Sequence, residues 1–175
     1  MFRRFVLLSM CFVTFSVFAQ TLSQECQEAV HTGEIARNTD IYGPCGFDNK
    51  QKALKEWAPW AEHENAGQAL YEICIRYEEA ENYCQKAEQL GNGPALLRRA
   101  NMLYNQKDYT NAANFYTHAL SSSLLTESEK GQIAQNMGLL YMNPNSSYYN
   151  PTKGMPLIER AVGRRGAEAN NLMGV

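Results

Sequence analysis

Residues 93–122, GPALLRRANMLYNQKDYTNAANFYTHALSS, decide the fold. Ala100 and Leu103 lie three apart in the first half, while Ala112, Tyr116 and Ala119 lie four and three apart in the second. Each set therefore falls on one face of a helix. Small residues where two helices cross, with an aromatic filling the space beside them, are what a close-packed helical hairpin needs. The stretch predicts helices over 94–105 and 109–122.

The small/bulky/small spacing recurs on both sides of this unit: at Ala80, Cys84 and Ala87, at Gly154, Ile158 and Ala161, and, with Trp in the last place, at Ala53, Trp57 and Trp60. A hairpin of 66–77 with 79–90 precedes the first one. Gly91-Asn92-Gly93-Pro94 ends one helix and starts the next, with Gly as C-terminal stop and Pro in the first turn. Thr126-Glu127-Ser128-Glu129 supplies a cap and first-turn acids for a helix running to about residue 142. A loop over 143–151, rich in Asn, Pro, Ser and Tyr, stretches the distance from Ala112 to Gly154 to 42 residues, against 32 from Ala80 to Ala112. Such a loop is expected to be mobile or to touch a ligand. Nearer the N-terminus, Leu22, Cys26, Ala29 and Val30 form an apolar face within a helix expected over 21–41, weakened by Gly33. A further helix is expected from Asp48 as N-cap to about Glu62, kinked or interrupted at Pro59. Trp57 and Trp60 read as core residues.

The spacing in the second helix of each hairpin resembles the tetratricopeptide repeat, and Met137-Gly138-Leu139-Leu140-Tyr141 is similar to that family's L-G-x-x-Y step. Residues 153–170, KGMPLIERAVGRRGAEAN, resemble the SEL-one-like subfamily, in which a K-A-x-x-W-x-x-K-A-A helix passes through a short Gly turn into A-E-A; here Gly154 replaces the Ala and Leu157 the Trp. The resemblance implies an all-α, right-handed α-solenoid: an N-terminal helix and turn over 20–47, repeats over 48–166, and the start of a further, truncated repeat at 167–175. It also implies a groove lined by the first helix of each hairpin, reached by residues one and five beyond the small position. Those are Asn101 and Asn105, with Tyr104 beside them, and around Gly138 the comparable face offers Gln132, Gln135, Asn136 and Asn143. Asparagine costs a helix on the order of 0.6 kcal/mol against alanine. Amides that both donate and accept suit an extended peptide backbone, although an ordinary polar outer face also accounts for them.

Residues 1–19, MFRRFVLLSMCFVTFSVFA, have the layout of a secretory signal peptide cleaved after Ala19: two arginines, an apolar run too short to span a bilayer comfortably, and small residues at Val17 and Ala19. An uncleaved anchor is the alternative, and Cys11 in Leu8-Ser9-Met10-Cys11 approximates a lipobox. Cleavage removes Arg3 and Arg4, taking the formal charge from −2 to −4 and leaving 156 of 175 residues, the length of one domain. A mildly acidic chain without a basic stripe is a poor partner for nucleic acid or anionic lipid. No second apolar run of membrane length follows. The mature chain is expected to be periplasmic or secreted. It keeps four cysteines, Cys26, Cys45, Cys74 and Cys84, so two disulfides are expected. Three pairings are possible, and proximity favours Cys26 with Cys45 and Cys74 with Cys84. Unpaired thiols are one alternative; a thiolate metal site is another, with no CxxC to support it.

Catalytic constellations do not emerge. His31, His63 and His118 sit in separate segments, no GxSxG or glycine-rich phosphate loop is present, and His63-Glu64 fails the HExxH pattern because Gly67 takes the second histidine's place. Arg160, Arg164 and Arg165 read as charges at a helix C-terminus. The expected function is a non-enzymatic, cofactor-free scaffold that binds a peptide segment or partner protein. The resemblance also implies two alternatives: an assembly factor of the kind found in sodium-driven flagellar motors, or a cysteine-rich β-lactam-binding or β-lactam-hydrolysing enzyme. The absence of any cysteine beyond Cys84 and of Ser-x-x-Lys counts against the enzyme. A purely structural spacer is the remaining possibility.

Overall fold

The computed structural model describes residues 22–172, with side chains described as far as residue 163. The expected signal peptide and lipobox lie outside the described residues, as does the end of the expected truncated repeat. Among the described residues the chain is entirely helical, with no strand.

The first helix, α1 (Gln24–His31), opens on Ser23, whose Oγ accepts from the Cys26 amide at 3.3 Å. It is much shorter than the 21–41 expected. Gly33 takes a left-handed φ of 73° and turns the chain into two short 3-10 turns, Glu34–Ala36 and Thr39–Ile41. This is the left-handed stop that glycine makes cheap.

Asn49, not Asp48, caps the next helical run, its side chain accepting from the Lys52 amide at 3.0 Å. The run passes from α2 (Lys50–Lys52) through a π turn (Ala53–Trp57) into α3 (Ala58–Glu64). Pro59 does not break it. The wide turn lies immediately before the proline, where an ordinary helical ladder would be short of one donor.

Three helical hairpins follow: α4 (Gly67–Arg76) with α5 (Glu81–Gln89), α6 (Gly93–Asn105) with α7 (Tyr109–Ala119), and α8 (Glu127–Met142) with α9 (Pro151–Leu172). Each helix packs chiefly on its hairpin partner, and the first helices also touch in sequence, α4 with α6 and α6 with α8. Asn65, Glu79, Gly91 and Lys107 all adopt positive φ just past a helix end, so four successive turns close with a left-handed residue. Thr126 and Glu129 form a reciprocal capping box at the start of α8, as expected.

The small/bulky/small residues are the contact seams. Ala80, Cys84, Ala87, Ala112, Tyr116, Ala119 and Ala161 are buried, and so are Ala53 and Trp57. Trp57 stacks on Phe47 at 4.8 Å, meets Trp60 edge-on at 5.1 Å, and donates its indole N–H to the Cys45 carbonyl at 2.7 Å. The buried apolar residues fall into two clusters, one gathering Cys26 to Ala95 and one gathering Leu96 to Leu140, which meet inside α6.

Two elements depart from expectation in the last hairpin. The 143–151 loop is tied down: Ser146 is buried, Tyr148 packs on the second cluster, and the Asn150 amide donates to the Tyr141 carbonyl at 2.7 Å. The Gly turn expected after residue 163 is absent, since α9 continues unbroken to Leu172. Gly163 is built into the helix, with nothing within 4 Å of where a Cβ would stand. Arg160 accordingly lies in the middle of a helix and not at its C-terminus.

Candidate peptide-binding face

The residues singled out from sequence separate into three groups. Asn101 on α6 and Asn136 on α8 come together around the Tyr116 hydroxyl of α7. Tyr116 donates to Asn101 Oδ1 at 2.7 Å, and Asn136 Nδ2 donates both to Asn101 Oδ1 at 3.0 Å and to the Tyr116 oxygen at 2.8 Å. Burial pushes the Tyr116 phenol up to about 12, with the Asn136 hydrogen bond pulling the other way, so it stays a donor across the physiological range. The triangle spans three helices and locks both amides in orientation. It leaves Asn101 Nδ2 and Asn136 Oδ1, a donor and an acceptor, without a bond to any described protein atom. Both asparagines are half-buried.

Asn105 and Gln132 are exposed, and Gln135 is half-buried, with no hydrogen bond of its own among the described residues. Tyr104 packs edge-to-face on Tyr109 at 5.6 Å and belongs to the hairpin. Asn143 is not a face residue. It follows the last turn of α8, where its side chain accepts from the Asn145 amide at 2.9 Å, folding the chain into the next loop.

A second polar system on the first helices was not anticipated from sequence. Gln68 and Glu72 of α4 are 2% and 0% exposed. Gln68 Nε2 donates to Glu72 Oε1 at 2.7 Å, Asn92 Nδ2 donates to Gln68 Oε1 at 2.8 Å, and the Asn92 Oδ1 caps α6 through the Ala95 amide at 2.9 Å. On the other side, the Tyr42 hydroxyl donates to Glu72 Oε2 at 3.4 Å, and Arg76 lies 3.5 Å from that oxygen with its guanidinium 3.4 Å above the Tyr42 ring. Desolvation raises the Glu72 carboxyl above its ordinary range, opposed by Gln68, Arg76 and Tyr42. The visible sign was the spacing of Gln68, Glu72 and Arg76, four residues apart on one helix stripe. That pattern is also an ordinary surface ladder, and the spacing does not show that Tyr42 and Asn92 will close over it with their hydrogen bonds.

A cavity of about 240 Å³ adjoins this system, walled on one side by Arg37 and Tyr42, on another by Tyr71 and Glu72 of α4, and closed by Pro94 of α6 and Glu129 of α8. A cavity of similar size, about 290 Å³, lies beside the Cys26–Cys45 bridge, but its acids, Glu25, Glu28 and Glu34, are all exposed. The four cysteines form the two bridges that proximity favours, with Cα separations of 5.6 Å for Cys26–Cys45 and 5.3 Å for Cys74–Cys84. Two such bridges fit an oxidising compartment. Glu81 also lies close to Cys74 and Cys84, but both sulfurs are committed to the disulfide. Among the described residues no helix is long and apolar enough to cross a membrane. No family model, curated protein or solved structure matches the chain.

Proposed function

We propose that this protein is an exported, non-enzymatic docking scaffold, a right-handed solenoid of tetratricopeptide or SEL-one-like hairpins that holds an extended segment of a partner protein along α4, α6 and α8. The observation that carries this reading is the Tyr116 triangle, which fixes two amides and leaves one donor and one acceptor free. A peptide backbone offers the complementary pair at every residue. Amides held rigid before binding lose little entropy on capture. The two disulfides support a periplasmic or secreted location, and a mildly acidic chain without a basic run favours a protein partner over nucleic acid.

The test is photo-crosslinking in intact cells with the probe at Asn105, beside the triangle, and separately at Tyr149 in the 143–151 loop. Adducts concentrated at Asn105, and lost when Asn101 and Asn136 are both changed to Ala, are expected. Adducts only at Tyr149, or capture unaltered by the double change, would place the partner on another surface. Hydrolysis of a chromogenic β-lactam that a point change abolishes would overturn the non-enzymatic reading.

A further inference from the structure

We infer that the outer face of the α8–α9 hairpin is a second docking surface, shaped to take the apolar stripe of an amphipathic helix from a partner protein. The inference comes from the repeated packing of the hairpins and is independent of the groove at Asn101 and Asn136.

What covers such a face is seen twice within the molecule. A shift of 32 residues sets Glu81 and Glu88 of α5 at the positions of Ala113 and Leu120 of α7, and a shift of 42 sets Met155 and Val162 of α9 there. Glu81 and Glu88 pair with Arg98 and Arg99 of α6, the first helix of the next hairpin. Ala113 is 6% exposed and borders a narrow crevice with Met137 and Leu140 of α8, again the first helix of the next hairpin. The first helices agree. A shift of 38 sets Gln135 and Leu139 of α8 at the positions of Leu97 and Asn101 of α6, where Leu97 is buried and Asn101 bonds Asn136 of α8. In the last hairpin the same positions are open: Leu139, Met155 and Val162 are 41, 48 and 59% exposed. Because Asn101 and Ala113 both meet α8, Leu139 and Met155 can both meet one helix.

The form of that helix follows from α8. The stripe that α8 lays on the preceding hairpin is Ile133, Asn136, Met137 and Leu140, at i, i+3, i+4 and i+7, the pattern by which a helix seats in an apolar groove. On the outer face Leu139 stands in place of Asn101, and Met155 in place of Ala113. A complementary helix therefore carries an apolar residue where α8 has Asn136, since an amide there would be buried without a partner. It carries a smaller residue where α8 has Met137. The acid–base pairing of the first seam is not repeated, because Met155 and Val162 occupy the places of Glu81 and Glu88.

The probe is a synthetic peptide of residues 126–142, cross-linked along its solvent face to keep so short a helix folded, with Asn136→Leu and Met137→Ala. Titrated into the oxidised protein, it is expected to bind about tenfold more tightly than the unsubstituted peptide. Met155→Glu in the protein changes an exposed side chain, and should weaken that binding at least about tenfold while leaving the melting temperature unchanged. Leu139→Asn should reverse the order of the two peptides, because it restores the amide pairing that Asn101 makes with Asn136. Equal affinities, an order untouched by Leu139→Asn, or no binding of either peptide would overturn the surface. Binding indifferent to Met155→Glu would mean that the peptide displaces α8 from α7, which overturns it equally. Sedimentation equilibrium of the protein alone gives the remaining outcome: a dimer dissociated by Met155→Glu would assign the face to a second copy of this chain and overturn the partner helix. Neither protein variant alters Asn101 or Asn136, so failure of this surface leaves the groove to its own cross-linking test.

Discussion

Glu72 carries a carboxylate into a packed helix face, and its raised pKa has a definite consequence for stability. Burial makes the folded chain hold this proton more tightly than the unfolded chain does. Its contribution therefore favours folding at low pH and is lost as pH rises through the folded value, above the ordinary glutamate range. Glu72→Gln keeps an acceptor for the Gln68 amide and cannot ionise. The melting temperature of the variant minus that of wild type should fall as pH is lowered toward the ordinary glutamate range, because the penalty it removes disappears; a gap independent of pH would contradict this. At Tyr116, replacement by Phe removes the hydroxyl from the triangle but leaves the Asn101–Asn136 bond. The expected cost is about 1–2 kcal/mol in urea denaturation. Asn101 and Asn136 were legible from the helical register only as members of comparable faces on two helices, alongside Asn105, Gln132 and Gln135. Their partner was not, because the spacing marked Tyr116 as a space-filling ring and said nothing about where its hydroxyl would end.

The elements were the most legible level. Alanines at crossings, the Thr126 capping box and the turn at residues 91–94 are local signals whose physics acts within a few residues. Failures came where glycine or proline could be met in two ways. Gly33 ended α1 outright, Pro59 was absorbed by a π turn, and Gly163 was simply built into α9. Two glycines of the last hairpin make opposite predictions. A Cβ on Gly138 would stand 2.6 Å from Ile158 Cγ1 and 3.0 Å from the Gly154 carbonyl, so Gly138→Ala should force α8 and α9 apart at a cost of about 1–3 kcal/mol. A Cβ on Gly163 would meet nothing within 4 Å, so Gly163→Ala should stabilise the helix by about 0.5–1 kcal/mol. Thermal melts of the two variants check both signs, and Gly138→Ala matching wild type would mean that the crossing is looser than drawn.

At the scale of the whole molecule, the cross-links and the cores are unevenly shared. Both disulfides lie among residues that build or border the first apolar cluster, and the second cluster, Leu96 to Leu140, contains none. The bridges span sequence separations of 19 and 10 residues, worth about 3 kcal/mol each by chain entropy. Together, at about 6 kcal/mol, they fall within the 5–15 kcal/mol that a domain has to spare. The first cluster also depends on a short α1, two 3-10 turns and a three-part helical run, elements with little stability of their own. The α6–α7 and α8–α9 hairpins rest on longer helices and direct packing. Reduction should therefore loosen the molecule from one end. Hydrogen exchange followed by mass spectrometry, with and without reductant, should show faster exchange over 22–90 while 96–142 keeps most of its protection, and Cys74→Ser with Cys84→Ser should reproduce part of that change. Exchange rising equally in both halves would mean that the shared helix α6 couples the clusters into one cooperative unit; the Tyr116 triangle would then be lost on reduction along with the bridges.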